Sequence, residues 1–252
     1  MLPRRPTLVA IACALVGPAL AGCVGQDSAE DLLVVGTEAA YPPFEDVDAD
    51  GQIVGFDPDV MREVAERSGY RIRLTNMQFR AIIPSIVNGQ IDAGISAFTI
   101  TDERKNQVDF TIPYYENELL VAVRSDTTDL QEQEDLRGRR VCTQTGTTSE
   151  TWLRENVGAT DENLMLLNAF PPCAEALKRG DVDAMMIDRA VVRTLVDQSG
   201  GDLETAFTIP VDERFGIAVP KGRGELLNKF NEALREMRED GTLERLMDKW
   251  AV

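Results

Sequence analysis

At 252 residues, 43% of them hydrophobic, the chain is long enough for two lobes of about 100 residues, each with its own core. A formal net charge of −17 with no basic stripe argues against nucleic acid and anionic lipid as partners. The sequence contains no histidine, which removes Ser-His-Asp and Cys-His nucleophile systems and histidine-ligated zinc in one step.

The chain begins with Arg4 and Arg5, an apolar run from Leu8 to Ala19, and Leu20-Ala21-Gly22-Cys23. This is the three-part pattern of a secretory leader and is too short for a comfortable spanning helix. Its L-A-G-C ending resembles a bacterial lipoprotein box, which implies residues 1–22 as a signal peptide and Cys23 as the lipidated first residue of the mature chain; the plainer reading is an ordinary signal peptide with an incidental cysteine. Residues 23–31 are small and polar, as a tether should be. No later stretch carries the ~20 apolar residues of a transmembrane helix, so the mature domain is expected wholly outside the membrane. Cys13 leaves with the leader and Cys23 is the anchor. Cys142 and Cys173 remain, and an even remainder in an oxidising compartment favours a disulfide over two buried thiols.

Leu32 to Gly36 reads as the first buried strand, followed by a loop in which Pro42 and Pro43 hold Tyr41 and Phe44 on either side. Asp57 has the marks of an N-cap, with Pro58 at the first helical position and a helix to Ser68. Arg71 to Thr75 is the second strand, and a helix from about Arg80 ends at Asn88-Gly89. Ile91 to Ile95 is then a short strand opening into the polar stretch Ser96 to Arg104. The same frame recurs at Arg179-Gly180-Asp181-Val182-Asp183-Ala184, running on to Asp188. In both copies a helix ends at glycine, an I/V-D-A strand follows, and a polar residue stands near its carboxyl end. One copy supplies an arginine and the other an aspartate. Open α/β sheets bind ligands outside those strand ends, so two facing lobes would offer a cation and an anion to one zwitterion.

Leu119 to Arg124 is the expected crossing into the second lobe. That lobe opens with the strand Val141–Thr143, the loop Gln144 to Ser149 and a helix to Asn156. A strand at Leu164–Phe170, a helix from Cys173 to Arg179 and a helix from Asp188 to about Ser199 follow. Phe215 to Pro220 reads as the returning strand, and helices at Gly224–Asp240 and Thr242–Trp250 are expected to pack on the first lobe. The lobes are thus residues 32–121 with 216–252, and 122–215, joined by two crossings that form a hinge.

The ordered motifs V-G-T-E-A-A-Y-P-P-F-E, D-G-Q-I-V-G-F-D-P-D-V, I-P-S-I-V-N-G-Q-I-D-A, T-I-T-D-E-R, Q-T-G-T-T-S-E-T-W, G-D-V-D-A-M-M-I-D, F-G-I-A-V-P-K-G and D-G-T-L-E-R-L-M-D-K-W span Leu32 to the C-terminus. Together they resemble the family 3 amino-acid-binding proteins of bacterial ABC importers. That resemblance implies an α/β fold of two Rossmann-like lobes with mixed sheets and a two-strand hinge, the type II periplasmic-binding-protein fold. It implies no cofactor and no metal.

By the same resemblance, Arg104 clamps the ligand's α-carboxylate with help from Thr99, Thr147 and Thr148, since a guanidinium fork matches carboxylate geometry. Asp188 holds the α-ammonium together with the carbonyl of Ala97, where the family often has serine. Tyr41 and Phe79 match the positions whose rings sandwich the ligand side chain. Glu38, with Gln144, matches the side-chain end of the pocket, where a carboxylate favours cationic or amide ligands. Each position also has a plainer reading: Arg104 in a surface ion pair, Asp188, Thr147 and Thr148 as helix caps, Tyr41 and Phe79 as core aromatics. The implied partners are a free L-amino acid, polar or cationic, and a membrane permease, with the receptor acting as a monomer. A dehydratase of cyclic amino-acid precursors on the same fold, using Glu38 or another carboxylate, is one alternative. The sensor module of a receptor, which predicts a spanning helix after the domain, is another.

Overall fold

The computed structural model describes residues 32–252; the leader, Cys23 and the tether lie outside the described residues. The first unit starts with β1 (Leu32–Thr37), a ribbon of β2 (Asp46–Val47) and β3 (Ile53–Val54), and α1 (Phe56–Arg67). Val60, Met61, Val64 and Ala65 bury the inner face of α1, and full burial of a valine or methionine contributes about 1.5–3 kcal/mol. Helix α1 corrects one expectation. Its N-cap is Gly55, and Asp57, wholly buried, turns into the core instead of capping.

Next come β4 (Arg71–Asn76), α2 (Phe79–Val87), the two-residue β5 (Ala93–Gly94), the single turn α3 (Asp102–Lys105) and β6 (Val108–Phe110). After β7 (Tyr115–Arg124), the second unit continues with β8 (Val141–Gln144), α4 (Thr148–Asn156), β9 (Leu164–Leu167), α5 (Pro172–Arg179), β10 (Ala184–Asp188) and α6 (Arg189–Asp197). The chain closes with β11 (Leu203–Phe215), β12 (Ala218–Pro220), α7 (Gly224–Glu239) and α8 (Thr242–Trp250). α7 and α8 pack on α1, where Trp250 Nε1 donates to Asp59 at 2.8 Å and Arg67 pairs with Asp240 at 2.8 Å.

Among the described residues the strands form two five-stranded sheets besides the β2–β3 ribbon. Their orders are β4-β1-β5-β12-β6 and β9-β8-β10-β7-β11, and they match position by position. β5 runs parallel to β1 and antiparallel to β12, as β10 runs parallel to β8 and antiparallel to β7. The repeated I/V-D-A frame of the sequence therefore leads into the central strand of each sheet, which begins at its alanine.

Two features differ from the reading by sequence. All of Tyr115–Arg124 lies in the second sheet, so the first crossing falls between Phe110 and Tyr115. The 13-residue β11, which has no counterpart among the predicted strands, pairs with β7 along its length with two register shifts. The return therefore falls between Phe215 and Ala218. Both crossings are plugged by rings: Phe44 lies 5.3 Å from Tyr115 and 5.4 Å from Phe215, centroid to centroid, in edge-on contacts. In the second unit, Cys142 on β8 and Cys173 on α5 form a disulfide with a Cα–Cα distance of 5.5 Å.

Candidate ligand-binding site

The two sheets bring their equivalent strand ends to one place. After β5 the chain turns at Ala97, a non-glycine residue at φ 46°, and reaches α3, where the Thr101 side chain caps the turn by accepting from the Arg104 amide. That turn aims the Arg104 guanidinium back at the strand end. Its Nη1 donates to the Thr99 carbonyl at 2.8 Å, and its Nη2 donates to the carbonyl of Gly146, on the loop after β8, at 3.1 Å. Its Cζ lies 5.3 Å from the ring of Phe79 and 5.5 Å from that of Phe98, two rings themselves stacked at 4.7 Å. Burial pulls the Arg104 pKa down, against the charges of Glu213 and Asp188.

Asp188, the last residue of β10, makes no side-chain bond to cap α6. It is 6% exposed, accepting from the Tyr41 hydroxyl at 2.5 Å and the Asn117 amide at 2.6 Å. Burial, then the charge of Glu213, pushes its pKa up to about 7 against those two donors and Arg104. Glu38 follows β1. It accepts from the Phe79 amide at 3.3 Å and from the side-chain amide of Gln144 across the cleft, and burial raises its pKa. The Gln144 amide also donates to the Asn168 carbonyl at 3.0 Å. Thr147 does serve as the N-cap of α4, and Thr148 opens that helix.

One small cavity of about 20 Å³ is lined by Glu38, Tyr41, Phe79, Ala97, Thr99, Arg104, Gln144, Thr147, Thr148 and Asp188, every candidate named from sequence, with Ser96 added. A larger chamber of about 450 Å³ adjoins it past Phe79 and Arg104 and opens between α2 and α4. The rings of Tyr41 and Phe79 both line the small cavity, and each has a protein partner. Tyr41 stacks on Phe44 at 6.2 Å and spends its hydroxyl on Asp188, while Phe79 stacks on Phe98.

Two residues with no motif behind them complete the electrostatics. Glu213 on β11 is 8% exposed and accepts from Asn117 at 3.0 Å and from the Thr99 hydroxyl at 3.3 Å. Asn117 on β7 thus bridges Glu213 and Asp188. Glu213 sits between Asp212 and Arg214, a charged run that reads as surface. Its signal is alternation: Ile209, Val211, Glu213 and Phe215 share one face, visible once β11 is recognised as a strand.

Residues 33–252 match the bacterial extracellular solute-binding proteins, family 3. The chain belongs to that family. It is 33% identical over 253 residues to the arginine-binding extracellular protein ArtP of Bacillus subtilis, covering 96% of each chain. It is 31% identical over 230 residues to the L-cystine-binding protein TcyJ of Escherichia coli K12, covering 91% of this chain and 86% of that one. An ancestral arginine-binding protein bound to arginine superposes with a TM-score of 0.82 at 38% identity, over 87% of this chain and 98% of that one. The fold is accordingly the type II periplasmic-binding-protein fold. These relatives are named as binding proteins, not enzymes, and the family is extracellular.

Among the described residues no helix is long and apolar enough to cross a membrane, and no group of His, Cys, Asp or Glu could hold a metal ion.

Proposed function

We propose that this protein is the extracytoplasmic receptor of an amino-acid ABC importer and binds one free L-amino acid, cationic by preference, between its two lobes. The observation that carries the reading is Arg104 and Asp188, delivered by equivalent strand ends of opposite sheets, lining one cavity with Glu38. Arg104 takes the α-carboxylate, with Thr99, Thr147 and Thr148 around it, and Asp188 takes the α-ammonium with the Ala97 carbonyl. Glu38, Gln144, Tyr41 and Phe79 receive the side chain. Arg104 is set against three acids, Glu38 and Asp188 in the lining and Glu213 beside them, so a ligand of net charge +1 answers charge that a neutral zwitterion leaves unmet.

Binding exchanges contacts that now cross the cleft, Tyr41 to Asp188 and Glu38 to Gln144, for contacts to the ligand. Each carboxylate then meets a cation in place of a neutral donor. Because both lobes contribute, the closed form is favoured by the ligand's differential contact with both halves. The lipid on Cys23 would hold this receptor at the outer face of the membrane, and the closed pair of lobes would dock as a monomer on the permease. No catalysis is required of Glu38 in this reading.

A thermal-shift panel of the standard amino acids with ornithine and citrulline tests it. The largest stabilisation is expected from arginine, ornithine or lysine. A response confined to aspartate and glutamate would overturn the charge argument. A ligand recovered chemically altered would point instead to the dehydratase.

A further inference from the structure

Beneath the Ala97 turn lies a second pair of acids that the binding scheme above does not use. Glu45 and Asp57 are both fully buried. Gly55 brings their segments together: a Cβ there would stand 2.1 Å from the Phe44 carbonyl oxygen, so only glycine lets the chain ahead of Glu45 press on the start of α1. Three donors reach the pair among the described residues. Asp57 Oδ2 accepts the Ala97 amide at 2.6 Å and the Tyr114 hydroxyl at 2.8 Å, and Glu45 Oε1 accepts the Ser96 hydroxyl at 2.6 Å. Glu45 Oε2 and Asp57 Oδ1 are buried with no donor among the described residues.

Adjacent residues hold the two carboxyl groups, Ser96 on Glu45 and Ala97 on Asp57, while the Asp57 amide donates to the carbonyl of Phe44, next to Glu45, at 3.0 Å. Two bare oxygens of facing carboxylates repel, whereas a proton between them satisfies both.

We propose that Glu45 and Asp57 share one proton and that the pair, through the Asp57 bond to the Ala97 amide, holds the Ala97 peptide in place for the ligand's α-ammonium. The inference rests on the amino-acid reading of the site above. The proton resides on Glu45, because Asp57 Oδ2 accepts two donors and Glu45 Oε1 accepts one. Burial raises both pKa values, and the charge of Asp57 raises Glu45 further. The titratable groups facing the pair are Glu38 and Tyr41 from the segment after β1, Tyr114 ahead of β7, and Asp188 beyond it. None of these is a cation that could ionise both acids. Glu45 and Asp57 are positioning residues that act through a backbone held at a left-handed φ of 46°, a conformation alanine adopts only when its surroundings impose it.

The test uses the whole protein with carbon-13 at the glutamate side-chain carboxyls, together with titration calorimetry of the amino acid that gives the largest shift in the panel. The Glu45 resonance, identified by its loss in Glu45→Gln, is expected to keep the shift of a protonated acid at about pH 6, where ordinary glutamates are ionised. Glu45→Gln, whose amide replaces the acid proton as donor, is expected to bind within about three-fold of the unchanged protein, whereas Glu45→Ala and Asp57→Ala lose about tenfold or more. In Asp57→Ala the loss falls on the amino acid and spares its desamino analogue, 5-guanidinopentanoate in the case of arginine.

An ionised Glu45 at that pH, or a glutamine variant as weak as the alanine one, overturns the inference. The resonance of the unchanged protein decides even if an alanine variant fails to fold. Arg104→Ala is titrated alongside: full binding without Arg104 brings down the site assignment itself, while lost binding together with an ionised Glu45 brings down only the shared proton.

Discussion

Arg104→Ala is the most direct probe of the clamp. The guanidinium carries five N–H donors, and the contacts to the carbonyls of Thr99 and Gly146 occupy two of them while fixing its plane. The remaining donors are available to a carboxylate without further ordering of the side chain. Losing a buried charge partner of this kind costs about 2–5 kcal/mol of binding. Affinity for arginine should therefore fall by about thirty-fold to several-thousand-fold. The unliganded protein also loses stability, by about 1–3 kcal/mol for the Thr99 carbonyl left without this donor, whereas the exposed Gly146 carbonyl turns to water.

Arg104→Lys separates charge from geometry. It keeps the cation but not the fork, and an intermediate loss of about tenfold is expected. Titration calorimetry measures the affinities and a thermal melt shows that each variant is folded. An alanine variant that is folded and binds arginine within about three-fold of the parent would refute the placement of the α-carboxylate at Arg104.

Glu38→Gln should shift preference from cationic toward neutral ligands, weakening arginine by about tenfold or more while leaving glutamine within a few-fold, as read by competition binding. Arginine binding at about pH 7 should release protons, because the ligand's ammonium supplies the cation that burial denies Asp188, whose pKa is pushed up to about 7; binding enthalpies measured in phosphate and in Tris should then differ. Asp188, pushed up to about 7, and the Glu45–Asp57 pair, raised by burial, contribute stability that is complete below their unfolded values and lost as pH rises through the folded ones. The melting temperature should accordingly fall between about pH 5 and pH 8, and fall less in Glu45→Gln. Reducing Cys142–Cys173, which closes a 31-residue separation, should lower stability by about 3–4 kcal/mol on the chain-entropy account, seen as a lower melting temperature under dithiothreitol.

Local chemistry was enough to read much of this molecule. The glycines ending α2 and α5, the short I/V-D-A runs after them and the polar residues beyond are neighbours in sequence, so β5 and β10 and the charges they deliver were legible as a repeat. The candidates lining the cavity were named through the resemblance to family 3, at positions beyond those strands, in the loops after β1 and β8, and at Phe79 opening α2. Other features depended on partners far along the chain. β11 holds its place through pairing with β7, from Leu203 opposite Arg124 to Phe215 opposite Tyr115, and its polar alternation alone resembles a surface loop. Asp57 has the sequence of a helix cap. Only the fold shows the Ala97 amide and Tyr114 hydroxyl that draw it into the core, or the Glu45 carboxyl it meets there. Whether a carboxylate is buried or solvated is settled by the donors that surround it, and here those donors come from residues 40 to 147 positions away, beyond any local pattern.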